Sequence, residues 1–136
     1  MPNCFGFVVL DLENKKTILV ESPNGYLSFP KGKLEKNKDK TQYDCAVREL
    51  EEETGITMDL VDVVPDKILS EMKRENVCSI QYYIAVIKDK FDNFKFDPEE
   101  ITCVKWYDFN SINNLANFRQ SRKDVFQEVI KIMNLN

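Results

Sequence analysis

Four glutamates, Glu49, Glu51, Glu52 and Glu53, crowd five positions at the end of one amphipathic segment, and Gly55 follows at once. From Thr41 to Thr54 the apolar residues Tyr43, Ala46, Val47 and Leu50 recur at three- and four-residue spacing, which predicts a helix with one buried stripe. Thr41 with Asp44 three residues on resembles a capping box, and Gly55 is a natural C-terminal stop. At about 100° per residue, Glu49, Glu52 and Glu53 fall within an arc of about 100°, while the apolar stripe is centred about 120° away. Glu51 points to neither face. Three carboxylates therefore converge on one side of a helix whose other side is packed.

This gathering of charge is unfavourable by itself. Like charges at i,i+4 cost a few tenths of a kcal/mol, and anions in a last helical turn oppose the macrodipole by roughly 0.3–1 kcal/mol each. Partly buried and about 5–6 Å apart, they would repel by roughly 3 kcal/mol per pair at an effective dielectric near 20. A solvated acidic face is the ordinary meaning of a charge run, but locally only Arg48, one turn before Glu52, offsets the repulsion here. A divalent cation would offset it, and oxygen-only ligands point to Mg²⁺ or Mn²⁺.

The rest of the composition narrows the chemistry. The chain has 136 residues, enough for one domain (1–136) and too few for two. It has no histidine, so acid–base work falls to carboxylates, Lys, Tyr or Cys. Cys4, Cys45, Cys78 and Cys103 have no metal-ligand spacing and read as reduced, mostly buried thiols. Apolar runs such as "FVVL" and "YYIAVI" are strand-sized, and the start shows no signal-peptide pattern, so a cytoplasmic protein without a membrane span is expected. The net charge of −4 does not suggest a long nucleic-acid footprint.

Strands are expected at 4–11 and 16–22, in "YLSF" before Pro30, on either side of Pro65, at 78–87 and at 102–109. "KGKLEKNKDK" reads as a basic loop, "SINNLA" as a helical turn and 121–134 as a final helix burying Val125, Phe126, Val129, Ile130 and Met133. The order of strands, helix, strands, helix predicts an α/β or α+β domain with a mixed sheet.

The run from Gly32 to "Arg48-Glu49-Leu50-Glu51-Glu52-Glu53-Thr54-Gly55-Ile56" resembles the Nudix box, whose second half reads Arg-Glu-apolar-any-Glu-Glu-any-Gly-apolar. The resemblance implies an α/β/α sandwich around a mixed β-sheet and hydrolysis of a nucleoside diphosphate linked to another group, with Mg²⁺ or Mn²⁺. It departs in the first half, because Gly32 and Arg48 are sixteen positions apart where the family has fourteen. The family's first Glu would fall on Lys38 or Lys40; Asp39, or Glu35, is the nearest acidic substitute.

By the same resemblance, Glu49, Glu52 and Glu53 are metal ligands, Arg48 orients them, and the backbone carbonyl of Lys31 joins the coordination. A loop glutamate before a later strand, Glu100 and then Glu99, is the candidate general base; alternatively Glu53 is the base and Glu100 binds metal. Lys31 and Lys33, flanking Gly32, are candidates to meet substrate phosphates. Tyr82 heads the residues that could stack a base, with Tyr26, Tyr83 and Phe118, although aromatic residues in strands usually pack in the core.

Two substrates compete within the resemblance. The small size and the "WYDFNSINNLANF" segment are similar to diadenosine tetraphosphate hydrolases, and a dinucleoside polyphosphate is the first expectation. "FPKGK", "DCAVRE" and "EEITCVKW" are similar to the catalytic domain of messenger-RNA decapping enzymes, for which Arg119, Arg122, Lys123 and Lys131 would form a modest basic path for RNA. A non-catalytic nucleotide-binding module is the third reading. Whether the chain is a monomer or a dimer is left open.

Overall fold

The first strand, β1 (Cys4–Asp11), is buried along nearly its whole length, and its alternating side chains serve two cores. Phe5, Phe7 and Val9 point to one face of the sheet, whereas Val8 and Leu10 point to the other. A strand with both faces apolar must be covered on both sides. The computed structural model, which describes residues 2–135, shows how.

The sheet runs β3-β2-β1-β6-β5 and is mixed. Here β2 is Lys16–Glu21, β3 is Leu27–Ser28, β5 is Val61–Arg74 and β6 is Val77–Ile87. β1 and β6 are parallel, so the chain between them must cross over, and it does so through helix α1 (Gln42–Thr54). A short strand β4 (Lys31–Lys33) pairs with the start of β1, and β7 (Cys103–Asp108) pairs with β2. Helix α1 lays Cys45, Ala46 and Leu50 on the Phe5–Phe7–Val9 face. Helix α2 (Gln120–Met133) lays Val125, Phe126 and Val129 on the Val8–Leu10 face. The result is the expected α/β/α sandwich, with a helical turn at Phe109–Asn114 leading into α2.

Two expectations need correction. Residues 31–33, read as the start of a loop, form β4, because Pro30 bonds to Phe7 of β1 and Leu34 to Asn3 just before it. The two strands expected around Pro65 are one edge strand, β5, whose register slips between Val63 and Ile68. Asp66, with φ of 59°, absorbs the slip; proline is tolerated at such a bulge on an edge. All four cysteines are free thiols, with only Cys45 fully buried. Among the described residues no helix is long and apolar enough to cross a membrane.

Candidate active site

Helix α1 begins with the capping box foreseen in the sequence. The Asp44 N–H donates to Thr41 Oγ1 at 3.0 Å and the Thr41 N–H donates to Asp44 Oδ2 at 3.2 Å. It ends at Gly55 in the left-handed region, φ 85°, whose N–H caps the Glu51 carbonyl. The last turn contains no basic residue of its own.

Arg48 organises the acidic face. Its Nε and Nη2 donate in parallel to Asp39 Oδ1 and Oδ2, each at 2.8 Å, a two-pronged pair that fixes the plane of the guanidinium. Nη2 also donates to the Lys33 carbonyl at 3.0 Å. Nη1 faces the carboxylates of Glu52 (3.1 Å), Glu35 (3.2 Å) and Glu49 (3.4 Å). Asp39 is buried, and the Arg48 hydrogen bonds hold its carboxyl at about 2. Of the two acidic substitutes for the family's first glutamate, Asp39 is therefore the one locked to Arg48, with Glu35 on the rim. The lengthened loop thus brings two acids to Arg48.

Glu49 lies against Gly32. A Cβ built on Gly32 would stand 1.9 Å from Glu49 Oε2 and 2.1 Å from its Cδ, so only glycine lets the strand approach this carboxylate. Glu53 is tied to the same strand, since the Lys31 N–H donates to Glu53 Oε1 at 3.1 Å. Phe7 N–H to the Pro30 carbonyl (3.1 Å) and Leu34 N–H to the Asn3 carbonyl (2.8 Å) bracket β4. Strand alternation then turns the Lys31 N–H and carbonyl away from β1, toward the helix.

Burial drives Glu49 up to about 7, against the pull of Arg48, with Glu52 and Glu100 adding to the rise. Burial likewise raises Glu53 to about 8, against the Lys31 N–H, with Glu49 and Glu100 pushing the same way. Burial strips these carboxyls of hydration, and Arg48, shared by Glu49 with Glu52, Glu35 and Asp39, does not make up the loss, so each resists ionisation. A divalent cation would supply further counter-charge, and the anionic, all-oxygen donor set suits a hard one. As placed, Glu52 turns to Arg48 and Glu53 to the Lys31 amide, and among the described residues no three acidic side chains already share one centre. Glu49 and Glu53 lie one helical turn apart, as neighbours on the same helix surface.

The other expected residues divide. Glu100, rather than Glu99, is the loop acid whose charge reaches Glu49 and Glu53. Lys31 and Lys33 stand on β4, where the Lys31 N–H meets Glu53 and the Lys33 carbonyl meets Arg48. Tyr82 is a correction: it is fully buried, packs edge-on against Phe29, and donates its hydroxyl to Glu71 at 2.7 Å, so it offers no ring to a substrate. Phe118 is buried in the same core, whereas Tyr26 is exposed beneath Arg119. Arg122 is also a correction, being buried and bonded to Glu71 and the Leu27 carbonyl, which removes it from a basic surface. The contacts between α1 and the 88–102 segment were missed, since no local spacing announces them.

A family model described as NUDIX domain matches residues 2–129. In sequence the chain is similar to mRNA decapping complex subunit 2 of Schizosaccharomyces pombe, 42% identical over 135 residues, 94% of this chain and 17% of that protein. It is similar to the m7GpppN-mRNA hydrolase of Saccharomyces cerevisiae, 32% identical over 112 residues, 79% of this chain and 11% of that protein. The chain thus spans less than a fifth of the length of these relatives. In fold it is similar to a C. elegans Ap4A hydrolase in a binary complex, with a TM-score of 0.80 at 20% identity, covering 96% of this chain and 98% of that one. The NUDIX domain of Shewanella oneidensis NrtR, complexed with ADP ribose, superposes with a TM-score of 0.74 at 12% identity, covering 98% and 88%. With the box glutamates on α1, Gly32 against them and the family match over almost the whole chain, this protein belongs to the NUDIX domain family.

Proposed function

We propose that this Nudix hydrolase cleaves a pyrophosphate linkage in the 5′ cap of RNA, using Mg²⁺ or Mn²⁺ held by Glu49, Glu52, Glu53 and the Lys31 carbonyl. The observation that carries the pyrophosphohydrolase reading is the pair of half-buried carboxylates, Glu49 and Glu53, pressed against β4 and short of positive charge. The cap is preferred because the 42% identity to a decapping subunit extends over 94% of the chain. Fold likeness to an Ap4A hydrolase at 20% identity carries less about substrate. This reverses the order expected from the sequence.

Glu49, Glu52, Glu53 and the Lys31 carbonyl would hold the cation, which would supply counter-charge to the phosphates and make an attacking water more acidic. The chain's residues do the rest. Arg48, held by Asp39, keeps the Glu52 carboxylate in place and spreads one positive charge along the acidic face. The Lys31 N–H holds one oxygen of Glu53, leaving the other for metal. The ammonium groups of Lys31 and Lys33 meet the substrate phosphates and the charge that develops on the leaving phosphate. Glu100 accepts the proton of the attacking water at its carboxylate oxygen.

A dinucleoside polyphosphate is the second reading, favoured by the net charge of −4 and by the burial of Arg122, which shortens any path for an RNA body. To test both, the protein is incubated with Mg²⁺ and either capped RNA, free cap dinucleotide or diadenosine tetraphosphate, alongside nucleotide sugars and diphosphoinositol phosphates. Release of the methylated guanosine diphosphate from capped RNA, lost in Glu52→Gln and Glu53→Gln, is expected. Faster turnover of diadenosine tetraphosphate than of capped RNA would install the second reading. No metal-dependent product from any substrate would sink both.

A further inference from the structure

The segment between β6 and β7, residues 88–102, has almost no regular structure, yet it is fastened at three places. Trp106, on β7, donates its indole N–H to the Phe91 carbonyl at 2.6 Å. Its ring meets Phe94 with centroids 6.4 Å apart, and Phe94 meets Phe91 at 5.5 Å. The Lys95 N–H donates to the Thr54 carbonyl at 3.0 Å, at the end of α1. The Thr102 N–H donates to the Glu21 carbonyl at 2.8 Å. Glu100 lies between the second and third fastenings, in a turn closed by its own N–H to the Asp97 carbonyl.

The middle fastening is the informative one. A Cβ on Gly55 would stand 3.1 Å from the Lys95 nitrogen and 3.2 Å from the Lys95 Cβ. The helix end and the segment therefore meet backbone to backbone, with little room for a side chain between. The helix that carries Glu49, Glu52 and Glu53 is thus tied directly to the segment that carries Glu100. Aromatic packing alone would bury Phe91, Phe94 and Trp106 without any such tie to α1.

We infer that Trp106, through Phe91, Phe94 and the Lys95–Thr54 contact at Gly55, is a positioning residue that sets how closely Glu100 approaches the helix carboxylates. This rests on the reading of Glu100 as general base given above. Small shifts at a reacting centre are costly: a misplacement of about 1 Å can lower turnover by about 100-fold.

Trp106→Leu removes both ring and donor, whereas Trp106→Phe keeps a ring against Phe94. On capped RNA with Mg²⁺, Trp106→Leu is expected to lower kcat by about 10- to 100-fold with KM within about twofold. Trp106→Phe is expected to recover most of that loss. A second measurement needs no activity. In EDTA at low salt and pH 9, Glu100→Gln removes a charge that repels Glu49 and Glu53, and should raise Tm by about 2–4 °C. In the Trp106→Leu background that gain should shrink to half or less, since the effects of independent sites add and those of coupled sites do not. Equal gains in both backgrounds, or a rise in KM that matches the fall in kcat, would overturn the inference. If the wild-type protein turns over no substrate, the functional reading fails and the Tm cycle alone decides the positioning role.

Discussion

Replacing Gly32 by alanine isolates the approach of β4 to the acidic helix. Gly32 does not have positive φ, so alanine is allowed by the backbone and even trims unfolded-state entropy by about 0.4–1 kcal/mol. The whole conflict is with one flexible group, the Glu49 carboxylate, whose Oε2 would be 1.9 Å from the new methyl. Restoring an ordinary contact of about 3.4 Å requires that oxygen to retreat by about 1.5 Å. A displacement of that size in a metal ligand should cost about 100-fold in kcat/KM, equivalent to about 2.7 kcal/mol of transition-state stabilisation. Stability should hold, with Tm within about 2 °C of wild type, since a moved side chain exposes little apolar surface. The assay is kcat/KM on capped RNA across a Mg²⁺ titration, beside a thermal melt. Activity within about threefold of wild type would refute the placement of Glu49 in the site. A large fall in Tm would show that the methyl pushes on backbone instead.

Other substitutions separate the structural from the chemical. Gly6→Ala should destabilise strongly and without regard to metal, because its Cβ would meet the backbone Pro30 carbonyl at 2.1 Å; a melt close to wild type would contradict this. Asp39→Asn should break the paired hydrogen bonds to Arg48 and lower stability by about 1–3 kcal/mol in urea unfolding. In the wild type the Asp39 carboxyl falls from its ordinary 3.8 to about 2, so its contribution is full above about 4 and is lost as pH falls toward 2; Asp39→Asn should flatten that acid limb. Glu53 runs the other way. Raised from 4.5 to about 8, it favours the protonated native state, so metal-free protein should lose stability as pH rises from about 5 to 8, less so in Glu53→Gln. Added Mg²⁺ should reverse that trend, and a flat profile in EDTA would contradict the burial. Tyr82→Phe should cost about 1–3 kcal/mol by leaving Glu71 short of a donor, with kcat and KM unchanged; a raised KM would reopen a substrate role.

Much of this site was legible because it is local. The period of Tyr43, Ala46, Val47 and Leu50, the Thr41–Asp44 cap and the Gly55 stop fix one helix, and helical geometry alone then gathers Glu49, Glu52 and Glu53 on one side. Runs of apolar residues likewise marked β1 and β6, because a strand covered on both faces reads as a near-continuous apolar run. Tertiary structure decided what lies far apart along the chain. It chose Asp39 as the partner of Arg48 after a loop of altered length, and turned residues 31–33 into a strand through bonds to β1. It sank Tyr82 and Arg122 into one buried network around Glu71. It also fastened the segment that carries Glu100 to the end of the helix, through Lys95 and Thr54. Side-chain type and spacing determine which face of an element is polar; they do not determine which distant element comes to meet it, and that depends on the closure of the whole sheet.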